Sequence, residues 1–79
     1  MLLVRYFAGA RAAAGTTEEK LDAQTLDAVI AAAVELHGDR LAHVLPSCSF
    51  LVDGLIWRDR QAPLPGEATI DVLPPFAGG

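Results

Sequence analysis

Cysteine is almost missing from this chain: Cys48 is the single one in 79 residues. One thiol excludes an internal disulfide and a thiolate-built four-ligand zinc site, and it suits a reducing compartment. Positive charge is also scarce. Six Lys and Arg stand against ten Asp and Glu, for a net charge of -4 and a pI near 4.8, so no basic field exists to attract nucleic acid or an anionic membrane. An acidic chain suits a basic partner protein instead. No segment approaches the roughly 20 apolar residues of a membrane span, and Met1 to Phe7 lacks the charged start and longer apolar core of a signal peptide. A cytoplasmic protein without membrane association is expected. There is no Gly-rich phosphate loop, so the chain is not expected to bind or spend ATP by itself, or to hold any other cofactor alone.

Metal ligands are no better represented. His37 and His43 are six residues apart, which is not a one-face helical spacing, so both read as solvated surface residues and no metal is expected. Asp22, Asp27 and Glu35 have no paired geometry for acid-base work and read as a solvated helix face. Cys48 has no Lys, Arg or His placed beside it in Leu45-Pro46-Ser47-Cys48-Ser49 to lower its pKa, so a buried structural thiol is expected over a persulfide carrier. Nothing here is a catalytic constellation, and the chain is not expected to catalyse alone.

What is present is a small core. Apolar residues make up 52% and charged residues 20%, which places 79 residues as one globular domain near the lower size limit for a single unstapled core. Leu2 to Phe7 alternates as a first strand, with Leu2, Val4 and Tyr6 on one face and Leu3, Arg5 and Phe7 on the other. Ala8 to Ala14 predicts a helical turn closed by Gly15, and Thr16 to Leu21 a second, weak strand. Thr25 is a good N-cap, and Leu26, Val29, Ile30 and Ala33 form one buried stripe of a helix ending near Gly38. Asp39 is expected to cap a further turn carrying Leu41, Val44 and Leu45, stopped by Pro46. Ser49 to Val52 predicts a third strand. Asp53-Gly54 before Leu55, Ile56 and Trp57 is a hairpin signal. Leu64-Pro65-Gly66-Glu67 reads as a turn, and Ala68 to Leu73 as a last strand, with Ile70 and Val72 opposite Asp71 and Leu73.

That order predicts an α+β domain, a mixed sheet of four to five strands crossed by one long helix. Pairing the distant first and last strands centrally and in parallel makes the helix a crossover, and the result is a ubiquitin-like β-grasp over residues 1–73. Residues 74–79 then form an extended, flexible C-terminal tail, Pro74-Pro75-Phe76-Ala77-Gly78-Gly79. Prolines fix φ and favour an outward polyproline run, while two glycines give the thinnest peptide a chain can thread through a tunnel. A chance Gly-Gly at a chain end occurs about once in two hundred. By themselves, these six residues leave a frayed end or a cloning remnant open.

Three passages resemble the MoaD family, the small subunit of molybdopterin synthase, within the ThiS/MoaD-like β-grasp proteins. They are Val4-Arg5-Tyr6-Phe7-Ala8 through Arg11 to Gly15, then Leu51-Val52-Asp53-Gly54, where the family more often has Asn at 53, and finally the segment from Leu64 to Gly79. The likeness covers nearly the whole chain. It implies a sulfur carrier whose reactive atom sits on the carboxylate of Gly79, with Gly78, Ala77, Phe76, Pro75 and Pro74 threading into partners. It also implies a MoaE-like large synthase subunit, an E1-like (MoeB-like) adenylating enzyme that uses ATP, and a protein persulfide as sulfur donor. The carboxylate would be joined to AMP, converted to a thiocarboxylate and spent on a cyclic pyranopterin precursor in molybdenum cofactor biosynthesis.

Strand alternation adds a docking patch. Phe7 and Leu73 each share a face with a charge, so both are expected to leave the core and, extended by Trp57, to form an apolar partner-binding surface at the root of the tail. The plainer alternative is that they cap the core edge. Two other functions remain beside the molybdopterin one. These are a sulfur carrier for thiamine or cysteine synthesis, the thiamine carriers usually lacking a Pro-Pro pair, and a β-grasp interaction module with an inert tail.

Overall fold

The computed structural model describes residues 1–75. Its elements run β1 (Leu2–Tyr6), α1 (Ala8–Ala14), β2 (Glu18–Leu21), α2 (Leu26–His37), α3 (Asp39–Val44), a 3-10 turn (Leu45–Ser47), β3 (Ser49–Val52), β4 (Leu55–Ile56) and β5 (Thr69–Leu73). The strands form one mixed sheet in the order β2-β1-β5-β3-β4. The central pair, β1 and β5, is parallel, and every other pairing is antiparallel. The expected β-grasp is therefore present, with the first and last strands side by side and α2 in the crossover between them.

Local chemistry accounts for the element ends. Gly15 sits at φ 76° and donates its N–H to the Arg11 carbonyl at 2.9 Å, the left-handed stop that a residue without Cβ allows. The Thr25 hydroxyl accepts the Ala28 N–H at 3.2 Å, which fixes the start of α2. One detail differs from the sequence reading. Asp39 is the first residue of α3 and caps nothing, because Gly38 holds the flanking position. Pro46 stops α3 as expected, α3 ending at Val44, but the chain continues as a 3-10 turn in which Pro46 takes a first-turn position, where its missing N–H has no partner to lose.

One face of the sheet carries the core. Leu2, Val4 and Tyr6 of β1, Ile70 and Val72 of β5, and Phe50 and Val52 of β3 pack beneath Leu26, Val29 and Ala33 of α2 and Leu41 of α3, all buried. Burying each larger aliphatic side chain contributes about 1.5–3 kcal/mol relative to leaving it in water. All three helices lie toward that face. The other face of the sheet is left for the site.

Candidate functional site

The site is built where β1 and β5 end together. Their register pairs Arg5 with Asp71 and Tyr6 with Val72, and the Phe7 N–H continues the ladder to the Val72 carbonyl at 3.2 Å. Phe7 and Leu73 thus flank each other on the outer face, as alternation required. Phe7 is 38% exposed and Leu73 half-buried. Leu51 of β3 pairs with both Asp71 and Ile56, which extends an apolar strip from Phe7 through Leu73 and Leu51 to the exposed Ile56.

Trp57 does not join this strip. Its N–H donates to the Phe50 carbonyl at 2.9 Å, which puts it opposite Phe50 on the core side of the sheet, where its ring packs against the core. Its indole N–H is buried without a partner. The sequence read Trp57 as one more exposed aromatic because the pairing partner of residue 57 was not visible. Pro74 is half-buried and Pro75 exposed. Phe76, Ala77, Gly78 and Gly79, where the resemblance puts the rest of the threading segment and the reactive carboxylate, lie outside the described residues.

Charge on the outer face is organised by one pair. Arg5 donates from Nε to Asp71 Oδ1 at 2.6 Å and from a terminal nitrogen to Oδ2 at 2.9 Å, a two-pronged fork. The hydrogen-bonded carboxylate raises the guanidinium pKa further above its ordinary value, Asp71 acting first by hydrogen bond and then by charge. Asp71 is only 8% exposed although it sits on the outer face. The Arg5 guanidinium carbon also lies 5.8 Å from the centre of the Phe7 ring. Arg5, Phe7, Arg11, Thr17 and Glu18 border a cleft of about 260 Å³ beside that ring.

A second polar cluster escaped the sequence reading. Tyr6 Oη and His37 Nε2 both lie 2.6 Å from Glu19 Oε2. An ionised carboxylate only accepts, so both groups donate to it. His37 also meets the Tyr6 ring edge-on, with centroids 6.0 Å apart. His37 is therefore not a solvated surface residue, because a tyrosine buried in the core needs a partner for its hydroxyl and Glu19 brings the imidazole with it. Burial together with the Glu19 bond pushes the Tyr6 phenol well above its usual value. His43 is exposed, its Nδ1 lying 2.8 Å from the Asp39 carbonyl.

Cys48 is buried, its thiol donates to the Val44 carbonyl at 3.3 Å, and burial pushes its pKa up. A thiol held protonated is a weak nucleophile. Among the described residues no group of three or more His, Cys, Asp or Glu could hold a metal ion, and no helix is long and apolar enough to cross a membrane.

The family comparison covers both the sheet that carries this face and the C-terminal segment that follows β5. The ThiS family model matches residues 4–79. The chain belongs to the ThiS family. Its ThiS-type fold is shared by three solved structures. Over 99% of this chain and 97% of the other, it is 23% identical, with a TM-score of 0.76, to a chain in a protein-protein complex of subunits 1 and 2 of molybdopterin-converting factor from Helicobacter pylori 26695. Small archaeal modifier protein 1 from Methanosarcina acetivorans is 24% identical over 99% of this chain and 95% of that one, with a TM-score of 0.85. The protein of the same name from Haloferax volcanii is 19% identical over 99% and 98%, with a TM-score of 0.78. At these identities the likeness carries the β-grasp fold. No curated protein matches the chain.

Proposed function

We propose that this ThiS-family chain is a sulfur carrier, the small subunit of a molybdopterin synthase, and that it works through the carboxylate of Gly79. The observation that carries the reading is where β5 ends. The central strand β5 delivers Pro74 and Pro75 beside an exposed aromatic and an apolar strip, while Cys48, the one thiol, is buried in the core on the other side of the sheet. Such an arrangement suits a protein co-substrate held by its face and used by its end.

The chemistry follows from the carboxylate. Carboxylate oxygen is a poor leaving group, so an adenylating enzyme joins Gly79 to AMP from ATP and releases pyrophosphate. A persulfide sulfur of the donor protein then attacks the acyl carbon and AMP departs. Reduction of the resulting acyl disulfide by a thiol of the donor frees the thiocarboxylate. The loaded tail enters the large synthase subunit, which supplies the pocket and acid-base groups for transfer to a pyranopterin precursor in the cytosol. A likeness to a chain solved with its second subunit supports a large-subunit partner here.

Intact mass tests the reading. Incubation with ATP, an adenylating enzyme and a persulfide donor is expected to add the mass difference of one oxygen-for-sulfur exchange, and Cys48→Ser is expected to load equally. Loss of that mass gain in folded Cys48→Ser would move the sulfur to the thiol. A second reading comes from the likeness to two small archaeal modifier proteins: an amine in place of the persulfide would attack the adenylate and form an amide. Appearance of protein adducts in place of thiocarboxylate would favour it.

A further inference from the structure

The outer face holds one contact between a salt bridge and the docking aromatic, and it explains why an ion pair sits in the middle of an apolar strip. Arg5 and Asp71 are direct neighbours on the two central strands. Asp71 grips Arg5 by both oxygens, so the planar guanidinium cannot rotate freely, and the Phe7 ring lies against it two residues further along the same face of β1. A guanidinium within about 6 Å of a ring centre is attracted to it. An exposed aromatic without such support samples several rotamers, and ordering it costs free energy at the moment of binding.

We propose that Arg5, clamped by Asp71, is a positioning residue that holds the Phe7 ring in its partner-docking orientation. The inference rests on the docking role proposed for Phe7 and adds a mechanism to it. A pair with no such role contributes charge alone, and Arg5→Lys keeps the charge. Lysine, however, has neither the planar fork for Asp71 nor a flat face for the ring. The two views therefore separate on a conservative substitution.

The experiment titrates the large synthase subunit with full-length wild type, Arg5→Lys, Asp71→Asn, Phe7→Ala and the double variant Arg5→Lys/Phe7→Ala, and counts only folded molecules. Arg5→Lys and Asp71→Asn are each expected to weaken binding about two- to fivefold. In the Phe7→Ala background, Arg5→Lys is expected to add nothing. Nuclear Overhauser contacts between the Phe7 ring and the Arg5 side chain are expected in wild type and lost in Asp71→Asn, a readout that needs no partner. Unchanged affinity for Arg5→Lys, equal losses in both backgrounds, or an intact ring contact in Asp71→Asn overturns the positioning role. If Phe7→Ala binds as tightly as wild type, the docking reading itself has failed and the positioning role falls with it.

Discussion

Tyr6 brings a hydroxyl into the core, and that hydroxyl needs a partner. Its ring is 2% exposed at the centre of the core, and its hydroxyl reaches a carboxylate that His37 also holds. The folded phenol titrates above the usual value of about 10. Above that pH the unfolded chain loses the phenolic proton while the folded chain keeps it, so the unfolded state binds fewer protons and stability falls as pH rises. The slope is about 1.4 kcal/mol per pH unit in that window, and the contribution is fully present below pH 10. Because Tyr6 is the only tyrosine, phenolate absorbance reports it alone. Phenolate is expected to appear only as the domain unfolds, and Tyr6→Phe is expected to flatten the alkaline loss. Phenolate near pH 10 in a folded protein would contradict the buried bond. The burial of Tyr6 was legible from alternation with Leu2 and Val4. Its partners were not, since Glu19 lies on a strand of poor strand formers and His37 at the far end of a helix.

Among the elements, the β3–β4 hairpin shows how much a short turn can decide. Asp53 sits at φ 49° and Gly54 at φ 85°, the left-handed pair that a two-residue hairpin requires. Asp53 also accepts the Thr69 N–H through Oδ1 at 2.9 Å and donates its own N–H to the Thr69 carbonyl at 2.9 Å, which ties the turn to the first residue of β5. Asp53→Asn preserves both the turn preference and the acceptor, so chemical unfolding is expected to place it within about 0.5 kcal/mol of wild type. Asp53→Ala is expected to cost about 1–3 kcal/mol from the lost acceptor and the positive φ. Equal stability of the two variants would show that the Thr69 bond contributes nothing. The dipeptide announced this hairpin in the sequence, whereas its tie to β5 depends on a pairing between strands far apart in the chain. The same distance hid the position of Trp57. Its type suggested a surface anchor, and only the register against Phe50 shows that it faces the core.

For the molecule as a whole, the proposed function has the two faces of the sheet divide stability from recognition. Phe7→Ala and Leu73→Ala are expected to cost little in chemical unfolding but about 1–3 kcal/mol of affinity for the large subunit. A core truncation such as Ile70→Ala is expected to cost about 2–5 kcal/mol of stability. Strongly destabilised Phe7 and Leu73 variants with normal affinity per folded molecule would reverse that assignment. Gly78→Val is expected to keep the wild-type melting temperature and to block sulfur loading, checked by calorimetry and intact mass; normal loading would remove the narrow-tunnel argument. The β-grasp order was readable because each strand carried its own period-two pattern and α2 its own cap. The Arg5–Asp71 fork was not, although both residues stood on the predicted outer face, because only the parallel register sets them opposite each other. That register has a mechanical consequence. With β1 and β5 parallel and adjacent, a pull between the start of β1 and the end of β5 drags the two strands past each other along their length. The load falls on all their shared hydrogen bonds at once instead of opening them one by one. Resistance to forced unfolding along this axis is therefore expected to be set by the rate at which the paired strands open rather than by equilibrium stability.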